Sequence, residues 1–360
     1  MRSCERVLLT ATSVVPYLLD QGLVSARAVV EGKLEVSVLD RRNRSFFVRD
    51  GVNGGIFLKQ ARNPDPTGLG TLEREARLYR SLQGRDAGPS TALSALPAIE
   101  RYDPFRRALA LELFADCESV AEHHSRSGDG TGELARSAGA LLAALHQELA
   151  ARMSDAAVVA GLPRARPWMT GLHRTGLAAL KTLGAPAAAI ADTLSRMPQL
   201  IALLSMLEPH WRADTLVHGD LRWDNWLIVR GPGGRQLKVI DWELVDVGDS
   251  AFDVGTILKE YLVAALILGP VGTINLWPMR ARIRAFLAAY LLARGHASSM
   301  EGRSLLARAV AYAGAQLVTA ALEYSQGLGQ ADPLVLQFLA LSTAILGQPA
   351  WAIRTLFALE

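Results

Sequence analysis

The sequence predicts an α+β fold in two lobes, a small antiparallel sheet with one helix followed by a large and mainly helical remainder. Apolar and polar residues alternate over residues 34–58 between glycine-containing turns, whereas from residue 134 onward apolar positions recur at helical spacing. A third observation is the stretch 216–253, which places His218, Asp220, Asn225 and Asp241 in order around a short hairpin. The expected division is residues 1–110 as the N-terminal lobe, 111–116 as a hinge and 117–360 as the helical C-terminal lobe.

The elements follow in chain order. Half of the 360 residues are apolar, enough to bury a large core. Val7–Val15 is expected to be a helix of the fold, because Pro16 and Asp20 follow it without the small-residue pattern of a cleaved signal. Leu34, Val36 and Val38 alternate with Glu35 and Ser37. Phe46–Val48 and Ile56–Leu58 follow across Asp50-Gly51 and Asn53–Gly55, which makes a three-strand meander ending on Lys59. A helix opens near Thr71, with Leu72, Glu75, Leu78, Tyr79 and Leu82 at helical spacing. After a fourth strand and Asp103-Pro104, the apolar Ala108–Leu113 reads as a buried fifth strand.

The connection Asp40–Ser45 between the first two strands carries no glycine, although loops that cover phosphate usually need backbone amides to approach closely. Three readings stay open. Arg41, Arg42 or Arg44 contacts phosphate directly, or the arginines face an acidic acceptor while Ser45 caps the terminal phosphate, or the segment is an exposed basic turn.

In the second region, Leu134–Leu149 has an apolar helical face that includes His146. The 71 residues between His146 and His218 form an alanine- and leucine-rich helical insertion bounded by Pro163, Pro167 and Pro186, with Trp168, His173 and Trp211 as candidate pocket residues. The apolar run Tyr261–Leu268 stops at Gly269-Pro270, well short of the roughly 20 residues a membrane span requires, so no membrane partner is expected. The net charge is +3, and 33 of the 38 basic residues are arginine, which does not describe a nucleic-acid surface. Cys4 and Cys117 lack metal-site spacing and are too few for a disulfide framework, as suits a reducing cytoplasm.

The chemistry lies in the third observation. Phosphoryl transfer demands position and charge neutralisation more than covalent help from the protein. Asp220 is placed to accept the proton of an acceptor hydroxyl, while Asn225 and Asp241 offer one neutral and one charged oxygen to Mg²⁺. Trp226–Val229 and Leu237–Ile240, joined by Gly231–Gly234, read as a hairpin that returns Asp241 towards Asn225. Each of these residues alone is more simply a loop carboxylate or a cap. Their joint order argues for the chemical reading.

His218-Gly219-Asp220, Asn225, Ile240-Asp241-Trp242-Glu243 and the tail Gly248–Asp253 resemble the aminoglycoside phosphotransferase and choline kinase group of the protein-kinase-like fold. The resemblance implies an ATP- and Mg²⁺-dependent kinase of bilobal fold. It makes His218 and Asp253 structural supports, assigns Lys59 and Glu75 (with Glu73 the competing helix residue) to an ion pair at the nucleotide phosphates, and gives backbone contacts with adenine to Glu112 and Leu113. His146 belongs to a structural helix by the same likeness.

A narrower resemblance joins Arg41–Val48, Phe57–Gln60 and the N-terminal extension to relatives that phosphorylate Ser or Thr of ribosomally made precursor peptides, with a separate lyase eliminating the phosphate. It implies a hydroxyl-bearing peptide and a lyase as partners, with Arg222, Arg44 and Trp168 as acceptor candidates. Residues 254–360 hold five acidic residues against eight basic ones, which disfavours a polycationic aminoglycoside, and Arg280, Arg282 and Arg284 suit a neutral or acidic acceptor. The alternatives are a kinase of a small metabolite or antibiotic hydroxyl, and an inactive kinase-like binding module.

Overall fold

The structure, a computed structural model, describes residues 8–40, 42–51, 54–62, 70–83, 90, 92–126, 132–231, 233–270, 273–328 and 332–359. Cys4, Arg41 and parts of two expected turns, Asn53 and Pro232, lie outside the described residues. The chain divides into two compact units, one of Met1–Ser127, Ser154–Leu162 and Asp224–Val245 and one of Gly128–Met153, Pro163–Trp223 and Asp246–Glu360. These units interleave along the chain and so differ from the linear division at 111–116. The reason is strand pairing, since β6 (Cys117–Ser119) pairs with β8 (Trp226–Gly231), and β8 with β9 (Gly234–Val239).

The first unit is built on a five-stranded antiparallel sheet ordered β1-β2-β3-β5-β4, with β1 Leu34–Asp40, β2 Asn43–Asp50, β3 Gly55–Ala61, β4 Ile99–Asp103 and β5 Ala108–Leu113. Side-chain alternation gives the sheet two faces. Phe46, Val48, Ile56, Leu58, Ala108 and Ala110 pack with Leu9, Val14, Tyr17 and Leu18. The register pairs Ser45 with Lys59 and Phe47 with Phe57, so these four share the opposite face.

The N-terminal helix runs over Val14–Asp20 rather than beginning at Val7, and Pro16 falls in its first turn, where no backbone donor is lost. Residues 8–10 belong to no helix or strand, and the Leu9 N–H donates to the Gln60 side chain at 2.8 Å. A second helix, Thr71–Leu82, buries Leu72, Glu75, Leu78 and Tyr79 on one face.

The second unit is helical apart from the short pair β7 (Thr215–Val217) and β10 (Asp246–Gly248). Glu133–Ala151 packs against Arg280–Ala293, and Ser250–Leu268 and Pro333–Gly347 pack against Met300–Leu328. Met300–Leu328 is long and apolar enough by composition to cross a membrane, yet 78% of its most apolar window is buried inside the protein, as a core helix would be. The insertion after His146 folds into short helices, with Pro186 and Pro198 each in a helix's first turn.

Candidate active site

In the first unit the end of β3, the helix Thr71–Leu82 and the turn after β9 bring three charged residues together. Lys59 Nζ donates to Glu75 Oε2 at 2.9 Å and Oε1 at 3.2 Å, and to Asp241 Oδ1 at 2.5 Å. Glu75, wholly buried, also accepts from the Tyr79 hydroxyl at 3.2 Å and the Trp242 N–H at 3.1 Å. A buried carboxylate is tolerable only when its lone pairs are satisfied, and here four donor contacts do so. Burial pushes the Glu75 carboxyl up to about 7 against the pull of Lys59. For Lys59 burial opposes the charge, but Glu75 and Asp241 outweigh it and hold the ammonium above the ordinary lysine value.

Asp241 adopts φ 68° and ψ 52°, a left-handed conformation rarely taken by a residue with a Cβ. The conformation turns the chain sharply at the end of the β8–β9 hairpin and leaves the carboxylate beside Lys59. Ile240 N–H donates to the Asn225 carbonyl at 3.0 Å, so the hairpin returns Asp241 to the neighbourhood of Asn225 as its turn chemistry implies. Glu73, the competing helix residue, instead pairs with Arg77 one turn on.

The described arginines of the connection already have carboxylate partners within the first unit. Its described residues place Asp40 and Asn43–Ser45 in strands, which leaves only residues 41 and 42 between them. Arg44 is directly across from Asp40, binds that carboxylate through Nε at 2.9 Å and donates to the Leu9 carbonyl at 2.9 Å. Arg42 lies 3.6 Å from Glu243, which also accepts from Asn43 at 2.7 Å. Arg44 is therefore corrected from acceptor candidate to a residue that ties the first hairpin to the N-terminal segment. Ser45 is a buried strand residue next to Lys59 rather than a loop residue. The Glu112 N–H donates to the Ala98 carbonyl at 2.9 Å, which leaves its carbonyl as the backbone group to consider at adenine. Leu113 ends β5 opposite Gly55. Cys117 is half-buried, and burial, with Glu122 and Asp116 adding to it, raises its thiol.

In the second unit the segment 218–223 is fastened from several sides. Asp253 accepts the His218 N–H at 2.8 Å and the Gly219 N–H at 3.1 Å. Gly219 has φ 83°, so a residue with a Cβ would be strained there. The Asp220 N–H donates to His218 Nδ1 at 3.2 Å, and Glu260 accepts the Trp223 N–H at 3.2 Å. Behind this, His146 Nε2 donates to Asp253 at 3.2 Å and its Nδ1 meets the Tyr290 hydroxyl at 2.8 Å, a buried relay. Arg222 Nε lies 3.0 Å from Asp220 Oδ1, and its Nη1 lies 3.7 Å from Glu323. Burial raises the Glu323 carboxyl, with Arg222 pulling the other way.

A family model described as "Phosphotransferase enzyme family", APH, matches residues 37–303, a span that contains both constellations. The chain belongs to this phosphotransferase family. As an APH member it is a phosphotransferase. Solved structures agree on an α+β kinase-like fold. The chain is similar to ethanolamine kinase from Plasmodium vivax, with TM-score 0.57, 16% identity and coverage of 96% of this chain and 91% of that one. It is also similar to choline kinase from Cryptosporidium parvum, with TM-score 0.59, 13% identity and coverage of 94% and 97%. The GDP complex of wild-type aminoglycoside 2'-phosphotransferase-IIIa gives TM-score 0.55 at 15% identity over 95% and 100%. A stretch of 76 residues is 42% identical to acyl-CoA dehydrogenase family member 10 of Mus musculus, and it spans 21% of this chain but only 7% of that protein's length.

The acceptor candidates separate in the structure. Arg222 sits in the 218–223 segment beside Asp220, and Trp168, 38% exposed, lines a cavity formed largely by the insertion. Trp211 is corrected from pocket residue to packing residue, edge-on against Phe252 and Tyr312 with ring centres 5.8 and 5.7 Å away. Arg280 and Arg284 donate to the carbonyls of Thr355 and Ala358, so they hold the C-terminal turn rather than an acceptor. Sequence reasoning missed Tyr79 as a donor to Glu75 one helical turn away, Glu243 as the partner of the distant Asn43, and Glu260 as the acceptor of the Trp223 N–H.

Proposed function

We propose that this APH member transfers the γ-phosphate of ATP to a serine or threonine hydroxyl of a biosynthetic precursor peptide, whose phosphate a separate lyase then eliminates. The observation that carries the phosphotransfer is the buried Lys59 ammonium shared between Glu75 and Asp241. With nucleotide present, Lys59 holds the α- and β-phosphates while Glu75 keeps its ammonium in place, and Ser45, on the same sheet face, lies towards the terminal phosphate. The half-buried rings of Phe47 and Phe57 on that face suit a purine, with Leu113 at the strand end beside them.

Asn225 and Asp241 fit a magnesium ion by donor chemistry, one amide and one carboxylate oxygen, and the Ile240–Asn225 hydrogen bond keeps their backbones close. Bound Mg²⁺ would neutralise phosphate charge. Asp220 accepts the acceptor's hydroxyl proton as the oxygen bonds to the γ-phosphorus, and the bond from that phosphorus to the bridging oxygen breaks to release ADP. Asp253 and His218 keep the Asp220 backbone in position, and Arg222 orients its carboxylate.

The peptide acceptor is supported by the likeness of Arg41–Val48 and Phe57–Gln60 to peptide-phosphorylating relatives. A small-molecule hydroxyl is the second reading, favoured by a cavity of about 820 Å³ in the helical unit, within the size range of small-ligand sites. We assign the reaction to the cytoplasm, where ATP is supplied. The test is transfer of labelled phosphate from ATP to candidate Ser/Thr peptides and to small alcohols. Asp220→Ala and Asp241→Ala should each abolish labelling while Mg·ATP binding by Asp220→Ala persists. Undiminished transfer by both variants overturns the assignment.

A further inference from the structure

The cavity of about 820 Å³ is walled by Arg164, Arg166, Trp168, Arg174, Glu208 and Leu322 among others, all from the helical unit. Its charged lining is three arginines and one glutamate, which leaves two positive charges. Glu208 organises two of the cations, accepting from Arg166 Nη1 at 2.7 Å and from Arg174 Nη1, with His173 Nε2 3.8 Å away. Two guanidinium groups anchored on one carboxylate are held ready for a second anion without having to be ordered by it.

Arg164 is held by other means. Its φ is 54°, a left-handed backbone on a non-glycine residue. The buried carboxylate of Asp246 accepts the Arg164 N–H at 2.7 Å and the Ala165 N–H at 2.8 Å, which over-determines that conformation. Strain maintained by a buried charge is the pattern expected where a side chain's direction matters. Among the described residues no carboxylate lies within ion-pair distance of the Arg164 guanidinium.

The cavity also adjoins the chemistry. Leu322 forms part of its wall, and the next residue, Glu323, lies 3.7 Å from the Arg222 that contacts Asp220. One turn of the Met300–Leu328 helix thus serves the cavity and the catalytic loop on adjoining residues.

We infer that this cavity binds a carboxylate-bearing part of the acceptor, with an apolar group against Trp168, so that the enzyme selects hydroxyls flanked by acidic groups. The inference rests on the reading that the protein phosphorylates a hydroxyl acceptor. Net positive lining opposes cationic acceptors and attracts anionic ones, and bidentate guanidinium geometry matches a carboxylate.

The experiment uses the full chain with short serine peptides carrying Asp or Glu near the serine, and the same peptides with Asn or Gln instead. Calorimetry reads binding and steady-state kinetics reads transfer. Wild type should bind the acidic peptides about tenfold or more tightly than their amide counterparts, the size of one good charge-assisted contact. Arg164→Asn, which tolerates the left-handed backbone, and Arg174→Gln should each raise KM for the acidic peptides with little change in kcat, and Arg164→Lys should restore much of the preference.

Equal binding of acidic and amide peptides by wild type overturns the inference, as does a preference that survives both variants. Displacement of the acidic peptide by succinate supports the same cavity chemistry with a small metabolite as its source. If no peptide is phosphorylated, the peptide reading fails, while the calorimetric preference still decides what the cavity binds.

Discussion

Glu75 Oε1 accepts the Trp242 N–H at 3.1 Å, which fastens the helix Thr71–Leu82 to the residue following Asp241. The same carboxylate holds Lys59, so the ammonium and the turn bearing Asp241 are organised by one buried group. Lys59→Met should leave that carboxylate without its cation and lower stability by about 3 kcal/mol. Adding Glu75→Gln should recover much of the loss in urea melts without recovering phosphotransfer. A double variant no more stable than the single one would show that the Lys59–Glu75 charges are not coupled.

Burial pushes the Glu75 carboxyl up to about 7 in the folded protein, from an ordinary glutamate value of about 4.5. The folded state therefore binds an extra proton between those values, and this group's contribution to stability, complete below the lower one, is lost as pH rises to the upper one. The slope is at most about 1.4 kcal/mol per pH unit. Urea midpoints measured across this window should fall with pH in wild type and fall less steeply in Glu75→Gln.

Asp220→Ala should cut kcat by about 10²–10⁴ with little change in the circular dichroism or the melting temperature. The side chain is 30% exposed and pairs with Arg222. Arg222→Ala should cost less in kcat because it only orients the Asp220 carboxylate. A loss as large as that of Asp220→Ala would place Arg222 on the reacting groups.

Asp253, itself wholly buried, accepts from two backbone N–H groups and from His146. Asparagine offers one acceptor oxygen and turns a donor towards the remaining N–H. Asp253→Asn should destabilise by about 2 kcal/mol or more and lower kcat together, read by denaturant unfolding and rate measurements. Lower activity with unchanged stability would mean that Asp253 acts other than by support.

At Gly139 an added Cβ would lie 2.1 Å from the Phe286 carbonyl oxygen, where the helices Glu133–Ala151 and Arg280–Ala293 pack together. Gly139→Ala should therefore destabilise by about 1–3 kcal/mol in thermal or urea unfolding, despite alanine's better helix propensity. An alanine variant as stable as wild type would show that the two helices separate freely.

Most of the candidate site was legible because its residues are adjacent or joined by one hairpin. His218, Asp220, Asn225 and Asp241 occur within 24 residues, and turn chemistry alone returns the last towards the Asn225 backbone. Lys59 and Glu75 were legible from the end of one strand and the inner face of the next helix. The arginine connection misled because arginine in a turn looks the same whether its guanidinium meets phosphate or Asp40 across a strand pair. Strand periodicity also did not reveal that the Glu112 N–H pairs with the Ala98 carbonyl.

The sequence by itself determined the fold class, the strand meander and the residues with phosphotransfer chemistry, since alternation, turn residues and motif spacing are local properties. Only the tertiary structure decided that Lys59 is shared by Glu75 and Asp241, that Arg280 and Arg284 bind the C-terminal turn, and that Arg164, Arg166 and Arg174 wall one cavity. Those outcomes depend on which distant groups compete for each charge once it is removed from water. Burial and partner distance settle that competition, and both are properties of the packed chain.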